Sequence, residues 1–262
     1  CTEMLRQPTE QIRNEVQDLQ QADASIARIE ALLSTVPRVT DGPGISLPPG
    51  SLSMELDGVS FGYTQDAPVL RNVSVSLAPG RVLGVVGRTG SGKTTLTRLL
   101  LRFYDPLVGT VRLGGVDLRT VHLAALRSRI GLVTQEVHLF HASVRDNLTL
   151  FDDSVQDEQI STVLATLGLA SWLRELPRGL DTQLLSDGAG LSAGQAQVLA
   201  CARILLRDPD LVILDEPSSR LDPVTDRLVQ TALGRLLEGR TGIIVAHRLA
   251  TLAYADDILV LE

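Results

Sequence analysis

The sequence predicts an α/β fold, a mostly parallel sheet covered by helices, with a long amphipathic helix in front of it. Three observations carry that prediction. Short, nearly continuous apolar runs occur at RVLGVVG (81–87), LVIL (211–214) and TGIIVA (241–246), as strands buried on both faces require. Helical stretches fall between and around them, at roughly 92–103, 156–167, 192–206 and 223–238. Ahead of all these, residues 9–34 carry apolar side chains at three- and four-residue steps.

Taken in order, the first element is that helix. Ile12, Val16, Leu19, Ile26, Ile29 and Leu33 form a narrow seam among Gln, Glu, Asp and Arg residues, and Pro8 stands near its start. Such a helix either lies on its own domain or packs against partner helices, and the pattern alone admits both. VPRVTDGPGISLPPGS follows, rich in Pro, Gly and Ser, and reads as a linker. The expected organisation is therefore a helix over 1–36, a linker over 37–52 and a domain over 53–262. At the start of that domain, MELDGVSFGY and VLRNVSVSLAPG alternate polar and apolar residues. Half-buried antiparallel strands do this, so an antiparallel β subdomain is expected beside the parallel sheet.

Composition narrows the function classes. A chain of 262 residues suits one large domain with an appendage, and 44% hydrophobic content supports a sizeable core. The formal charge of −7 leaves no large basic patch, which argues against nucleic acid as a partner. Cys1 and Cys201 are far apart and suggest no disulfide framework, so a reducing setting is the simpler reading. No apolar run is long enough to span a membrane, and no signal peptide is present. The chain opens on Cys and stops on the apolar run DDILVLE, as a piece of a longer polypeptide would.

The chemistry begins at GRTGSGKTT (87–95), which holds the chain's only lysine; the other 23 of its 24 basic residues are arginine. Lys is a compact point charge, whereas Arg is a broad planar fork, so a position that keeps Lys against this bias lacks room for a guanidinium. Gly87, Arg88, Thr89, Gly90, Ser91, Gly92, Lys93 and Thr94 fit G-x-x-x-x-G-K-[ST] after a strand and before a helix. This predicts a P-loop NTPase core. Glycines let the backbone wrap a polyphosphate, and the helix adds the positive end of its dipole. Lys93 is expected at the β- and γ-phosphates, the Thr94 hydroxyl on Mg²⁺, and Thr95 beside the nucleotide. At the end of a second buried strand, LVILDEP places Asp215 and Glu216 where ligands of parallel sheets bind. Asp215 can hold Mg²⁺ through water, and Glu216 can act as general base toward an attacking water. Two acids capping the next helix are the alternative, but the phosphate loop earlier in the chain favours the metal site.

Between these motifs lies GLSAGQ, opening a helix at Leu191–Gln195. Here the sequence resembles the ATP-binding cassette (ABC) family, whose signature is LSGGQ; Ala193 replaces one glycine. The resemblance runs from Ser53 to Glu262. It implies ATP and Mg²⁺ as cofactors and a helical signature subdomain. It puts the family's adenine-stacking aromatic on Tyr63, its Q-loop on Gln135, its D-loop on Ser218–Asp222 and its switch histidine on His247. The catalytic set it implies is Lys93, Gln135, Glu216 and His247, and the metal set is Thr94, Gln135 and Asp215. In the family two such domains face head to tail, so Ser192, Gly194 and Gln195 would serve the nucleotide held by the partner domain.

RQPTEQIRNEVQDLQQADASIARIEALL resembles the segment by which the last transmembrane helix of exporter-type members enters the cytosol, and LFHASVRDNL and LPRGLDT resemble that branch too. The implied partners are a transmembrane domain and a second nucleotide-binding domain, identical or different, at the cytoplasmic face of a membrane. A poorly hydrolysing member of a heterodimer is the alternative. An importer subunit fits the long first helix less well. DNA-repair ATPases with this head insert long coiled coils where this chain has only about a hundred residues. Departures from the family pattern are Ser186 and Asp187 where exporters carry a Glu-containing loop, Val198 in place of a basic residue, Arg220 in the D-loop, and Ala193.

Overall fold

The computed structural model describes residues 2–262 except 65–66, 186–190, 217–222 and 247–248; the side chains of 2–9, 12, 223–224 and 249–250 are also outside the description. The chain divides into two units, Cys1–Thr40 and Asp41–Glu262. In the first, α1 (Thr2–Leu33) begins before the expected start and runs through Pro8. Its seam is open, with Val16 at 47% exposure, Leu19 at 67% and Ile29 at 56%.

The second unit is built on two main sheets. β1 (Met54–Phe61), β2 (Leu70–Leu77), β4 (Val108–Leu113) and β5 (Val116–Asp117) form an antiparallel sheet in the order β2-β1-β4-β5. Alternation along β1 buries Met54, Leu56, Val59 and Phe61. The register slips between Leu56 and Val59, where Gly58 takes a positive φ of 61°. β3 (Val82–Gly87), β6 (Ile130–Val133), β9 (Leu211–Asp215), β10 (Thr241–Val245) and β11 (Asp257–Leu261) form the central sheet. It is parallel throughout, in the order β11-β3-β10-β9-β6. β7 (Ala142–Ser143) pairs antiparallel with β8 (Gln183–Leu184).

The helices expected from periodicity are present: α2 (Lys93–Leu100), α5 (Asp157–Thr166), α7 (Ala193–Arg207) and α8 (Pro223–Leu237). α2 stops three residues short of its expected end, and the chain turns through Arg102 at φ 49°. Shorter helices join them: α3 (Leu123–Ser128), α4 (Val144–Thr149), α6 (Ala170–Glu175) and α9 (Leu249–Leu252).

The two faces of the central strands feed two cores, which is why those strands are nearly continuous apolar runs. Leu211, Ile213, Ile243 and Val245 pack with Leu83 and Val85, with Leu96, Leu99 and Leu100 of α2, and with the antiparallel sheet. Val212, Leu214 and Ile244 point the other way, onto Ile160 and Leu164 of α5, Val198 and Leu199 of α7, and Val229 and Leu233 of α8. Each such fully buried side chain contributes about 1.5–3 kcal/mol. Parallel strands in mutual register bring their carboxyl ends to one edge, where the phosphate loop, Asp215, Glu216 and the loop of Gln135 begin.

Candidate functional site

The phosphate loop leaves β3 at Gly87 and enters α2 at Lys93. Lys93 is 6% exposed, and its Nζ donates to the carbonyls of Gly87 (2.9 Å) and Arg88 (3.0 Å). The lysine thus closes the loop on its own backbone. Gly92, the N-cap of α2, sits at φ 99°, and a Cβ there would overlap Leu70, so a side chain would meet both strain and a neighbour. A Cβ at Gly87 would overlap the Ser91 hydroxyl. That hydroxyl is buried and has no hydrogen-bond partner among the described residues. An orphaned polar group inside a loop of this kind calls for a polar ligand. Arg88, Thr89, Gly90 and Thr94 are exposed on it. A cavity of about 820 Å³ opens on the loop's outer side, between β2 and β11, lined by Arg88–Ser91 and Leu259–Glu262. It shares Arg88–Ser91 with the phosphate loop, while Lys93, Thr94, Asp215 and Glu216 do not line it.

The carboxylates arrive by register. Val85 of β3 pairs with Val245 of β10, Val245 with Asp215 of β9, and Leu214 with Val133 of β6. One row across the sheet therefore ends in the phosphate loop, in Asp215–Glu216 and in the loop of Gln135, which is exposed two residues beyond β6. Glu216 extends the ladder by donating its N–H to Val245 (2.9 Å), then turns through φ 52°. A left-handed backbone costs a non-glycine residue about 1–2 kcal/mol, and strain of this sort gathers at functional sites. Just past β10, Ala246 is buried at 4% exposure. The next residue, His247, lies outside the described residues, as do Ser218–Asp222, Ser186 and Asp187.

Thr94, Asp215 and Gln135 offer hydroxyl, carboxylate and amide oxygens. Among the described residues no group of three or more His, Cys, Asp or Glu side chains could hold a metal. That donor set suits Mg²⁺, which takes few protein oxygens and keeps water and phosphate as its other ligands.

The signature helix α7 is capped reciprocally. Gln195 N–H donates to Ser192 Oγ (3.1 Å), and Ser192 N–H donates to Gln195 Oε1 (2.8 Å). Gln195 is thus tied to the cap, while Ser192 and Ala193 are exposed. Gly194 is buried, and a Cβ on it would overlap the Thr225 methyl of α8. Val198 is fully buried in the helical core, which accounts for an apolar residue there.

Three residues of this region went unread in the sequence. Gln197 Nε2 donates to Thr134 O (3.2 Å), and Arg203 donates to His138 O (2.8 Å), Asn147 O (2.6 Å) and Asn147 Oδ1 (3.0 Å). α7 therefore grips the Gln135 loop on both sides. Burial pushes the Arg203 pKa down, and these acceptors satisfy the guanidinium. Asn147 completes the brace by donating to Phe140 O (3.0 Å) and accepting from Phe140 N–H (2.8 Å).

Tyr63 lies just past β1 and is 39% exposed. Its hydroxyl is within 3.2 Å of Thr95 Oγ1 and accepts from Arg98 Nη1 at 2.9 Å. Phe61 and Tyr104 meet the ring at 5.3 and 5.2 Å, both at 85°.

Comparison with known proteins places this arrangement. The ABC transporter family profile matches residues 70–219, over half of the chain. The chain belongs to the ABC transporter family. It is an ATP-binding domain of that family and an ATPase. A relative described as an ATP-dependent lipid A-core flippase, from Syntrophus aciditrophicus, is 38% identical over 259 residues, covering 98% of this chain and 43% of the relative. The cyclolysin secretion/processing ATP-binding protein CyaB of Bordetella pertussis is 42% identical over 246 residues, covering 94% and 34%. A bacterial Atm1-family ABC exporter solved with ATP bound superposes with a TM-score of 0.82 at 33% identity, over 93% of this chain and 43% of that one. This ABC domain thus spans less than half the length of these relatives. Among its described residues no helix is long and apolar enough to cross a membrane.

Proposed function

We propose that this ABC domain powers export across a membrane, closing on a second nucleotide-binding domain around ATP and opening after hydrolysis. The observation that carries the reading is the row of strand ends that puts Lys93, Asp215, Glu216 and the Gln135 loop at one edge of the sheet. Lys93 has three N–H donors, and two are held by Gly87 and Arg88. The third remains for a phosphate oxygen. The orphaned Ser91 hydroxyl and the N-terminus of α2 supply further polar contacts to the polyphosphate. Magnesium, when bound, offsets charge on the β- and γ-phosphates, with Thr94, Asp215 and Gln135 as the residues that would hold it. Glu216 takes a proton from the water that attacks the γ-phosphorus. The bond to the β–γ bridging oxygen breaks as the new P–O bond forms, giving ADP and phosphate. His247 is assigned to the γ-phosphate by family position.

α7 favours a partner domain. Its first-turn N–H groups have no intrahelical acceptor, and its cap presents Ser192 and Ala193 to solvent. A second copy's γ-phosphate fits there. The open seam of α1 and a Mycobacterium tuberculosis relative described as a multidrug efflux ATP-binding/permease protein, 40% identical over 263 residues, favour a membrane domain as the other partner. Ala193 also supports a second reading, a weakly hydrolysing member of a heterodimer, because its methyl is exposed where the seam would form.

The test is the solution mass of Glu216→Gln with and without Mg-ATP, beside the ATPase rates of wild type and Lys93→Arg. A shift from monomer to dimer with ATP, and loss of most turnover in Lys93→Arg, are expected. Near-normal hydrolysis by Lys93→Arg would remove the argument from space at Lys93. ATP binding without any mass shift would remove pairing of this chain with itself and favour the heterodimer.

A further inference from the structure

We propose that Arg98 is a positioning residue for the nucleotide base, fixing the ring of Tyr63 at a set height above the phosphate loop. The inference rests on reading Tyr63 as the base platform and adds what holds that platform in place. Tyr63 follows β1, in the antiparallel sheet, whereas the phosphate loop follows β3 in the parallel one. A half-exposed tyrosine at such a junction would ordinarily turn among rotamers. Here its hydroxyl is held by two groups of one helix, Thr95 Oγ1 at 3.2 Å and Arg98 Nη1 at 2.9 Å. Thr95 is buried at 5% exposure, so one anchor belongs to the domain's interior.

Arg98 adds a second hold on the ring. Its guanidinium carbon lies 5.8 Å from the ring centroid, within cation–π reach, while the same group donates to the phenol oxygen. Phe61 and Tyr104 wedge the ring edge-on at 5.3 and 5.2 Å. A cation hydrogen-bonded to a hydroxyl gives a stronger and more directional bond than a neutral donor. The helix that carries it is α2, whose first residue is Lys93. From Lys93 to Arg98 the helix rises roughly 7.5 Å. One rigid element therefore holds the polyphosphate end and the base platform, and Arg98 transmits the spacing between them. Binding then avoids the cost of ordering one aromatic side chain, an effect of about threefold to tenfold in affinity.

The test measures affinity for mant-ATP, with unlabelled ATP and inorganic tripolyphosphate as competitors, in Arg98→Ala, Arg98→Lys, Tyr63→Phe, Tyr63→Ala and the Arg98→Ala/Tyr63→Phe pair. ATP affinity should fall about threefold to tenfold in Arg98→Ala, the loss appearing in KM and not in kcat, with tripolyphosphate affinity and Tm at wild-type values. Lysine should restore part of it. In Tyr63→Phe, which lacks the acceptor, adding Arg98→Ala should weaken ATP little further. Wild-type ATP affinity in Arg98→Ala, a full loss in the Tyr63→Phe background, or an equal loss for tripolyphosphate would each overturn the role of Arg98. Unchanged ATP affinity in Tyr63→Ala would remove the base platform itself. A weakened Tyr63→Ala beside a normal Arg98→Ala would keep the platform and reject only its proposed support.

Discussion

Replacing Gly194 with alanine isolates a packing constraint inside the LSAGQ motif. Gly194 is buried near the start of α7, and the added Cβ would fall on the Thr225 methyl of α8. Overpacking of this size costs about 1–3 kcal/mol. Alanine returns up to about 1 kcal/mol of helix propensity, and less so close to a helix end. The net expectation is a loss of about 1–2 kcal/mol, or roughly 2–8 °C in Tm for a chain of this size. Thr225→Ser removes the obstructing methyl and keeps the hydroxyl, so the double variant should recover at least half of that loss. Thermal and denaturant unfolding of the two single variants and the pair, without nucleotide, measure this directly. A Gly194→Ala chain that unfolds at the wild-type midpoint refutes the packing argument. So does the absence of any recovery with Thr225→Ser. By the same reasoning Ala193→Gly, at an exposed position, should change stability by no more than about 1 kcal/mol.

Three further outcomes are expected. Glu216→Gly should be more stable than Glu216→Ala by about 1 kcal/mol, since only glycine adopts φ 52° freely, and both should lack turnover; equal unfolding midpoints would discount the strain. Asp41 accepts the Leu123 N–H at 2.7 Å and pairs with His122 at 3.1 Å; the backbone bond first, then His122, hold its carboxyl below the usual carboxylate range. A lowered folded-state value means this stabilisation is present above the unfolded value, about pH 3.9, and fades as pH falls through the folded one. The Tm gap between wild type and Asp41→Asn should accordingly be full at neutral pH and close in acid, and a pH-independent gap would contradict it. Burial pushes the Cys201 thiol up to about 12, so in a Cys1→Ser background a thiol reagent at pH 8 should react only after unfolding. Stoichiometric labelling of the native chain within minutes would contradict the buried assignment.

Most of the architecture was legible in the sequence because its signals are local. Strands packed on both faces must be apolar at every step, so LVIL and TGIIVA stood out. α5, α7 and α8 were placed within a residue or so by their apolar stripes. β6 escaped because Gly131 breaks the short apolar run IGLV, and α3, α4 and α6 because six residues show too little of a helical period. GRTGSGKTT and LVILDEP stood out for the same reason, each being a short local run, and each lies at the end of a central strand as expected.

What the tertiary structure alone decided is which distant residues meet. Arg98 and Tyr63 are 35 positions apart, and Gln197 reaches Thr134 across 63. Nothing in either segment marks the pairing, because the distance between them is set by how the sheets and helices pack. The same holds for the third and fourth residues of LSAGQ. Neighbours in sequence, Ala193 faces solvent and Gly194 faces Thr225. The helix turns about 100° per residue, so one position can carry a methyl group while the next has no room for it.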